Sequence, residues 1–128
     1  MLSPVNLSCC HVMLTVSDID VAKEFYLSKL GLDEIEVYPK FFAARAGDVR
    51  FSFFVGGQKH GPEHDSTVSV ILRTEDITES VSKLAKSGVV FEGEVSEAPN
   101  FMRFVSFLDP DGNRLYLAQY LADPFSAA

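Results

Sequence analysis

The same order of segments occurs twice in this chain, and that repetition constrains the fold more than any single motif. Laid on one another, Val12, Leu14, Asp18 and Ile19 of the first half meet Val70, Leu72, Asp76 and Ile77 of the second. A chain that repeats its element order builds two similar units, and each unit must bury an apolar face on something.

In the first half, residues 11–16 (HVMLTV) are β-branched and apolar and read as a strand bounded by Ser17 and Asp18. Either of those two can cap a helix over 19–30, with Asp20 in its first turn. Ala22, Phe25, Tyr26 and Leu30 form that helix's apolar stripe, and Gly31 stops it. Strands are expected at 33–38, 41–45 and 49–55, separated by Pro39-Lys40 and by Ala46-Gly47-Asp48. The second half repeats this pattern: a strand over 67–73, then a helix from 77 to about 87 that starts capping-box-like with Asp76 and Glu79. Strands at 89–95, 101–108 and 114–120 follow, the last two joined by the tight turn DPDGN. Unit one thus covers about 11–55 and unit two about 67–120. Between them lies a polar, glycine-rich linker at 56–66, and a short tail follows, all within a single domain over 1–128.

Composition narrows the function classes. The chain has 128 residues, 47% hydrophobic and 12% aromatic, enough for one packed core. It carries 11 Lys and Arg against 18 Asp and Glu, net −7, with no basic patch, so no nucleic-acid partner is expected. No apolar run approaches a membrane span and no signal peptide is visible, so no membrane partner is expected. The only cysteines, Cys9 and Cys10, are adjacent and supply no disulfide framework, which suits a reducing cytoplasm.

Two longer stretches carry a family resemblance. HVMLTVSDIDVAKEFYLSKLGL resembles the opening of the vicinal oxygen chelate superfamily, which includes glyoxalases, ring-cleaving dioxygenases, fosfomycin-resistance enzymes and bleomycin-resistance proteins. FVSFLDPDGNRLYL is similar to the superfamily's F-x-DPDGN-x-x-E-L pattern, and the likeness spans about 11–119. It implies an α+β fold of two βαβββ modules whose mixed sheets curve around a groove. It also implies a homodimer, with modules pairing within a chain or swapping between chains. Active members hold a divalent metal at four strand positions, which fall here on His11, Ser52, Ser69 and Tyr116, where the last pattern position has Glu. Only His11 is a good ligand. Two serines and a neutral tyrosine compete poorly with water for a divalent ion, so no metal or other cofactor is expected.

Strand alternation then sorts the groove lining. If His11 points into the groove, so does Met13 from the first strand, and so do Arg50, Ser52 and Phe54 from the fourth. Ser69, Ile71 and Arg73 join them from the fifth, and Arg114 and Tyr116 from the eighth. Phe104, with Ser106, is added from the seventh. A mostly apolar groove with a few polar groups suits a small-molecule ligand. The arginines could grip a carboxylate or phosphate, but each taken singly reads rather as a strand-end residue reaching solvent or the protein's own carboxylates. His11 is the best candidate for catalysis, as a general base, and is otherwise a hydrogen-bonding pocket residue. Tyr116 could donate to a ligand or pack on Phe54. His60 and His64 read as solvated loop residues, the DPDGN carboxylates as structural, and the cysteines as ordinary strand-start residues.

Three functions remain open from the sequence. The first is a metal-free, bleomycin-resistance-like binder of a small organic molecule. The second is a metal-dependent lyase, isomerase or dioxygenase using His11 with non-standard ligands. The third is a structural or regulatory dimer module.

Overall fold

The computed structural model describes residues 5–56 and 68–125. Strand β1 (His11–Val16) leads into helix α1 (Ile19–Lys23), which runs on as π-helical turns over Glu24–Lys29. Then come β2 (Asp33–Tyr38), β3 (Phe41–Ala46) and β4 (Val49–Val55). The second unit comprises β5 (Val70–Arg73), α2 (Ile77–Lys86), β6 (Ser96–Ala98), β7 (Met102–Leu108) and β8 (Arg114–Tyr120). They form two four-stranded sheets, ordered β1-β4-β3-β2 and β5-β8-β7-β6. In each, the first strand pairs parallel with the fourth and the remaining pairs are antiparallel. This is the α+β architecture of two βαβββ units. No helix among the described residues is long and apolar enough to cross a membrane.

Both helices start on an aspartate. Asp18 Oδ1 accepts the Val21 N–H at 3.1 Å and Asp76 Oδ1 accepts the Glu79 N–H at 3.1 Å. Each satisfies a backbone donor that the helix leaves open. The capping box at α2 is only half made. The Glu79 carboxylate turns outward to Lys83 at 2.6 Å, and the Asp76 N–H finds Thr74 Oγ1 at 3.4 Å instead.

The strand expected over 89–95 does not form as such. Phe91 makes an isolated bridge to Phe107, and the paired segment comes later, at β6. Gly88 and Gly93 take φ of 105° and 113°, outside extended backbone, so the run between them cannot lie straight along β7. The linker beyond Gly56, with His60 and His64, and Thr67 at the expected start of the fifth strand lie outside the described residues.

One core serves both units. Val16, Phe42, Phe51 and Phe53 enter it from the first sheet, and Val105, Phe107, Leu115 and Leu117 from the second. The Tyr26 ring packs on Phe53 with centroids 4.3 Å apart, and Phe25 lies 6.2 Å from Phe107. Neighbouring residues of one helical segment therefore touch both sheets, and that segment is wedged between them. Burying an aromatic or large aliphatic side chain in this way contributes about 1.5–3 kcal/mol each. A polar latch accompanies the packing. Asp109 accepts the Tyr26 hydroxyl at 2.6 Å, and Asp111 Oδ1 accepts the Ser17 N–H at 3.0 Å. Because the first helix occupies the space between the inner faces, the outer faces of the two sheets look away from one another.

Candidate functional site

The sequence-predicted residues fall on these outer faces, divided between the two sheets. On the first sheet, strand register arranges them in rows. Thr15, Phe54, Phe41 and Tyr38 lie side by side across β1, β4, β3 and β2. Met13, Ser52, Ala43 and Glu36 form the next row, and His11, Arg50 and Arg45 the row after it.

The first row is aromatic: Phe41 lies 4.8 Å from Phe54 and 5.9 Å from Tyr38 between ring centroids. Phe54, Tyr38 and Met13 are exposed, at 36%, 55% and 62%. The middle row is small and sealed, with Ser52 1% exposed and Ala43 fully buried. Arg50 closes over it, its guanidinium carbon 6.0 Å from the Phe41 ring centroid.

A continuous polar network runs through the other two rows. His11 Nε2 and Ser52 Oγ share a 2.6 Å hydrogen bond. Arg50 Nε donates to the same Ser52 oxygen at 3.1 Å, and Arg50 Nη2 donates to Glu36 Oε1 at 3.1 Å. The buried serine is thus held between an imidazole and a permanently charged guanidinium, itself steadied by a carboxylate.

The second sheet carries a parallel arrangement. Tyr116 and Ser106 are cross-strand partners, as are Phe104 and Ala118. Glu92 accepts from Arg114 Nε at 2.7 Å, from Arg114 Nη2 at 3.0 Å and from Ser106 Oγ at 3.0 Å. The Arg114 contact holds the Glu92 carboxyl below the usual glutamate range, against an opposing push from burial. Arg73 instead lies over the Tyr120 ring at 5.5 Å. Ile71 is 43% exposed and Ser69 precedes β5. Two of the three predicted arginines therefore meet the protein's own carboxylates, the second of the readings open from the sequence. Among the described residues no ring contact joins Tyr116 to Phe54, because they belong to opposite outer faces.

A cavity of about 800 Å³ lies elsewhere. It opens between the units, lined by inner-face side chains such as Val12, Phe51, Leu72, Leu84 and Leu117, and of the predicted residues it reaches only Ser69, Ile71 and Arg73.

The four positions that the resemblance assigned to a divalent metal can now be tested. His11 Nε2 is already engaged by Ser52, and a guanidinium lies against that hydroxyl, where a second cation would be repelled. Tyr116 on the other sheet, and Ser69 just before its first strand, offer neutral hydroxyls. Among the described residues no three His, Cys, Asp or Glu side chains gather at one point. This donor set does not fit a divalent ion.

Sequence reading missed Glu36, Glu92, Tyr38 and Phe41. Alternation puts Glu36 and Tyr38 on one face of β2, but their meeting with β4 depends on a register shift between Glu34 and Glu36. No local signal announces that shift.

Comparison with known proteins agrees with this architecture. The family model described as Glyoxalase/Bleomycin resistance protein/Dioxygenase superfamily matches residues 9–117. The chain is 30% identical over 118 residues to the Uncharacterized protein YetH of Bacillus subtilis (strain 168), covering 84% of this chain and 94% of that one. Among solved structures it is similar to SMU.1112c, with TM-score 0.75 and 25% identity over 88% of this chain and 98% of that one. It also superimposes on a glyoxalase/bleomycin resistance protein/dioxygenase from Nocardioides, with TM-score 0.76 and 18% identity, covering 99% of this chain and 93% of that one.

Proposed function

Because this chain belongs to the glyoxalase/bleomycin resistance protein/dioxygenase superfamily, we propose that it is a metal-free member that binds a small organic molecule on the outer face of its first sheet. The observation that carries this reading is the His11–Ser52–Arg50–Glu36 network beside an exposed aromatic row. A few directed polar groups next to apolar surface are what a small-molecule site requires. The network also uses the one good metal-ligand position for hydrogen bonding.

Two opposed outer faces cannot enclose a ligand within one chain. The reading therefore includes a homodimer in which the second sheet of a partner copy covers the first sheet of this one. The exposed apolar side chains Met13, Phe54 and Ile71, one set on each outer face, support it. Cys9 and Cys10 are free and exposed, which suits the reducing cytoplasm.

Elemental analysis of untagged protein, challenged with zinc, iron, nickel and manganese and then desalted, tests the metal-free reading. Near-zero metal per chain is expected. One tightly held ion per chain, lost in His11→Ala, overturns it in favour of a metal-dependent lyase, isomerase or dioxygenase.

A further inference from the structure

The hydrogen-bond directions in the network determine what kind of ligand atom the site accepts. Arginine can only donate, so Arg50 Nε–H points at the Ser52 oxygen. The Ser52 hydroxyl hydrogen then needs an acceptor, and Ser52 is 1% exposed. Among the described residues the available acceptor is His11 Nε2, at 2.6 Å. A buried hydroxyl that did not donate would forfeit a hydrogen bond it cannot make to water.

We infer that Ser52 donates to His11 Nε2, that the ring proton of His11 consequently sits on Nδ1, and that the site takes an aromatic carboxylate. The imidazole lone pair is then used internally, which leaves the Nδ1–H of an exposed residue as its remaining polar group. Arg50 adds a second donor. Its Nε and Nη2 are engaged, while its Nη1 meets no partner among the described residues. His11 and Arg50 are cross-strand partners, so the two donors lie on neighbouring strands of one face. The face thus offers hydrogen-bond donors where relatives with a metal would offer an electrophile.

The aromatic half of the assignment rests on a separate observation. The guanidinium of Arg50 lies 6.0 Å from the Phe41 ring, so the donors and the Tyr38–Phe41–Phe54 row lie within the length of one small molecule. A planar ring on that row can reach Arg50 and His11 with a carboxylate on a short chain. A cation there would face Arg50 and an imidazole N–H, with Glu36 already committed.

This inference rests on the reading of the outer face as a ligand site, and two measurements separate their failures. Ring-nitrogen NMR of isotopically labelled full-length protein, with the His11 signals assigned by their loss in His11→Phe, reports the tautomer directly. Protonated Nδ1 with unprotonated Nε2 is expected, returning to the mixture of a free imidazole in Ser52→Ala. A protonated Nε2 in the parent protein overturns the assignment.

Titration with phenylbutyrate, its primary amide and phenylbutylamine then tests the ligand class. The carboxylate is expected to bind roughly tenfold tighter than the amide, and the amine not at all, because a charge-assisted pair outweighs a neutral one. That advantage should vanish in Arg50→Gln and persist in part in Arg50→Lys, each checked for an intact unfolding transition. Equal or tighter binding of the amine overturns the carboxylate assignment. If none of the three compounds perturbs the protein, the ligand-site reading falls with it, whichever tautomer the spectrum shows.

Discussion

The hydroxyl of Tyr26, on the first unit's helix, donates a 2.6 Å hydrogen bond to the carboxylate of Asp109 in the second unit's β7–β8 turn. Asp109 is saturated: its other contacts are the N–H groups of Asp111 at 2.9 Å and Asn113 at 2.7 Å, and Asn113 Nδ2 at 2.9 Å. Burial first, and then the adjacent carboxylate, push the Tyr26 hydroxyl well above its ordinary pKa. One turn thus organises its own loop and holds the two units together.

Tyr26→Phe removes that donor without changing the ring that packs on Phe53. A loss of about 1.5–3 kcal/mol is expected, the range for a buried hydrogen bond to a charged group. Urea unfolding at neutral pH measures it, and coincident midpoints for parent and variant would show that the latch adds nothing. The raised pKa also has a consequence at alkaline pH. Its stabilising contribution is complete below the ordinary tyrosine range and is lost as pH rises from there towards the folded-state value. The parent's advantage over Tyr26→Phe should therefore shrink with rising pH.

The Glu92–Arg114 pair should behave in the opposite sense. The folded-state pKa of Glu92 is lowered, so its contribution is present above the ordinary glutamate range and lost as pH falls through the lowered value. Glu92→Gln is expected to cost about 0.5–1 kcal/mol at neutral pH, as for an ion pair still partly open to solvent. The difference from the parent should vanish in acid. Paired thermal melts across that range check it, and a pH-independent gap would assign the effect to packing instead.

The exposed apolar side chains on the two outer faces should control assembly. Met13→Glu and Ile71→Glu, on opposite faces, are each expected to convert a dimer to monomer at micromolar concentration without shifting the circular dichroism spectrum. Sedimentation equilibrium reads this out. A parent protein that is already monomeric contradicts the dimer, and variants that stay dimeric place the interface elsewhere.

The helix caps give a local test. Asp18→Ala and Asp76→Ala each remove an acceptor for one N–H, at 3.1 Å in both helices, and about 1 kcal/mol is expected for each. Glu79→Gln should cost far less, because that carboxylate reaches Lys83 on an exposed face rather than the cap. If Glu79→Gln proves as harmful as Asp76→Ala in chemical denaturation, the box is closed in solution.

Several features were legible because they are local. Alternation in VRFSFFV put Phe51 and Phe53 on one face and Arg50, Ser52 and Phe54 on the other, as the strand register has them. Aspartates at helix starts and the DPDGN turn announced themselves in the same way. The strand expected over 89–95 does not form, because Gly93 lies within it. Backbone with φ of 113° interrupts pairing whatever its neighbours prefer.

By itself, then, the sequence determined the repeated βαβββ order and the faces that the residues of 49–55 take, since each depends on residue type and short-range spacing. Only the tertiary structure decided that Tyr26 would find Asp109, that Glu36 would find Arg50, and that the two candidate faces would point apart. Those outcomes depend on a helix wedging between two sheets and on a bulge resetting one strand's register. Packing chooses such long-range partners, and no short stretch of sequence encodes them.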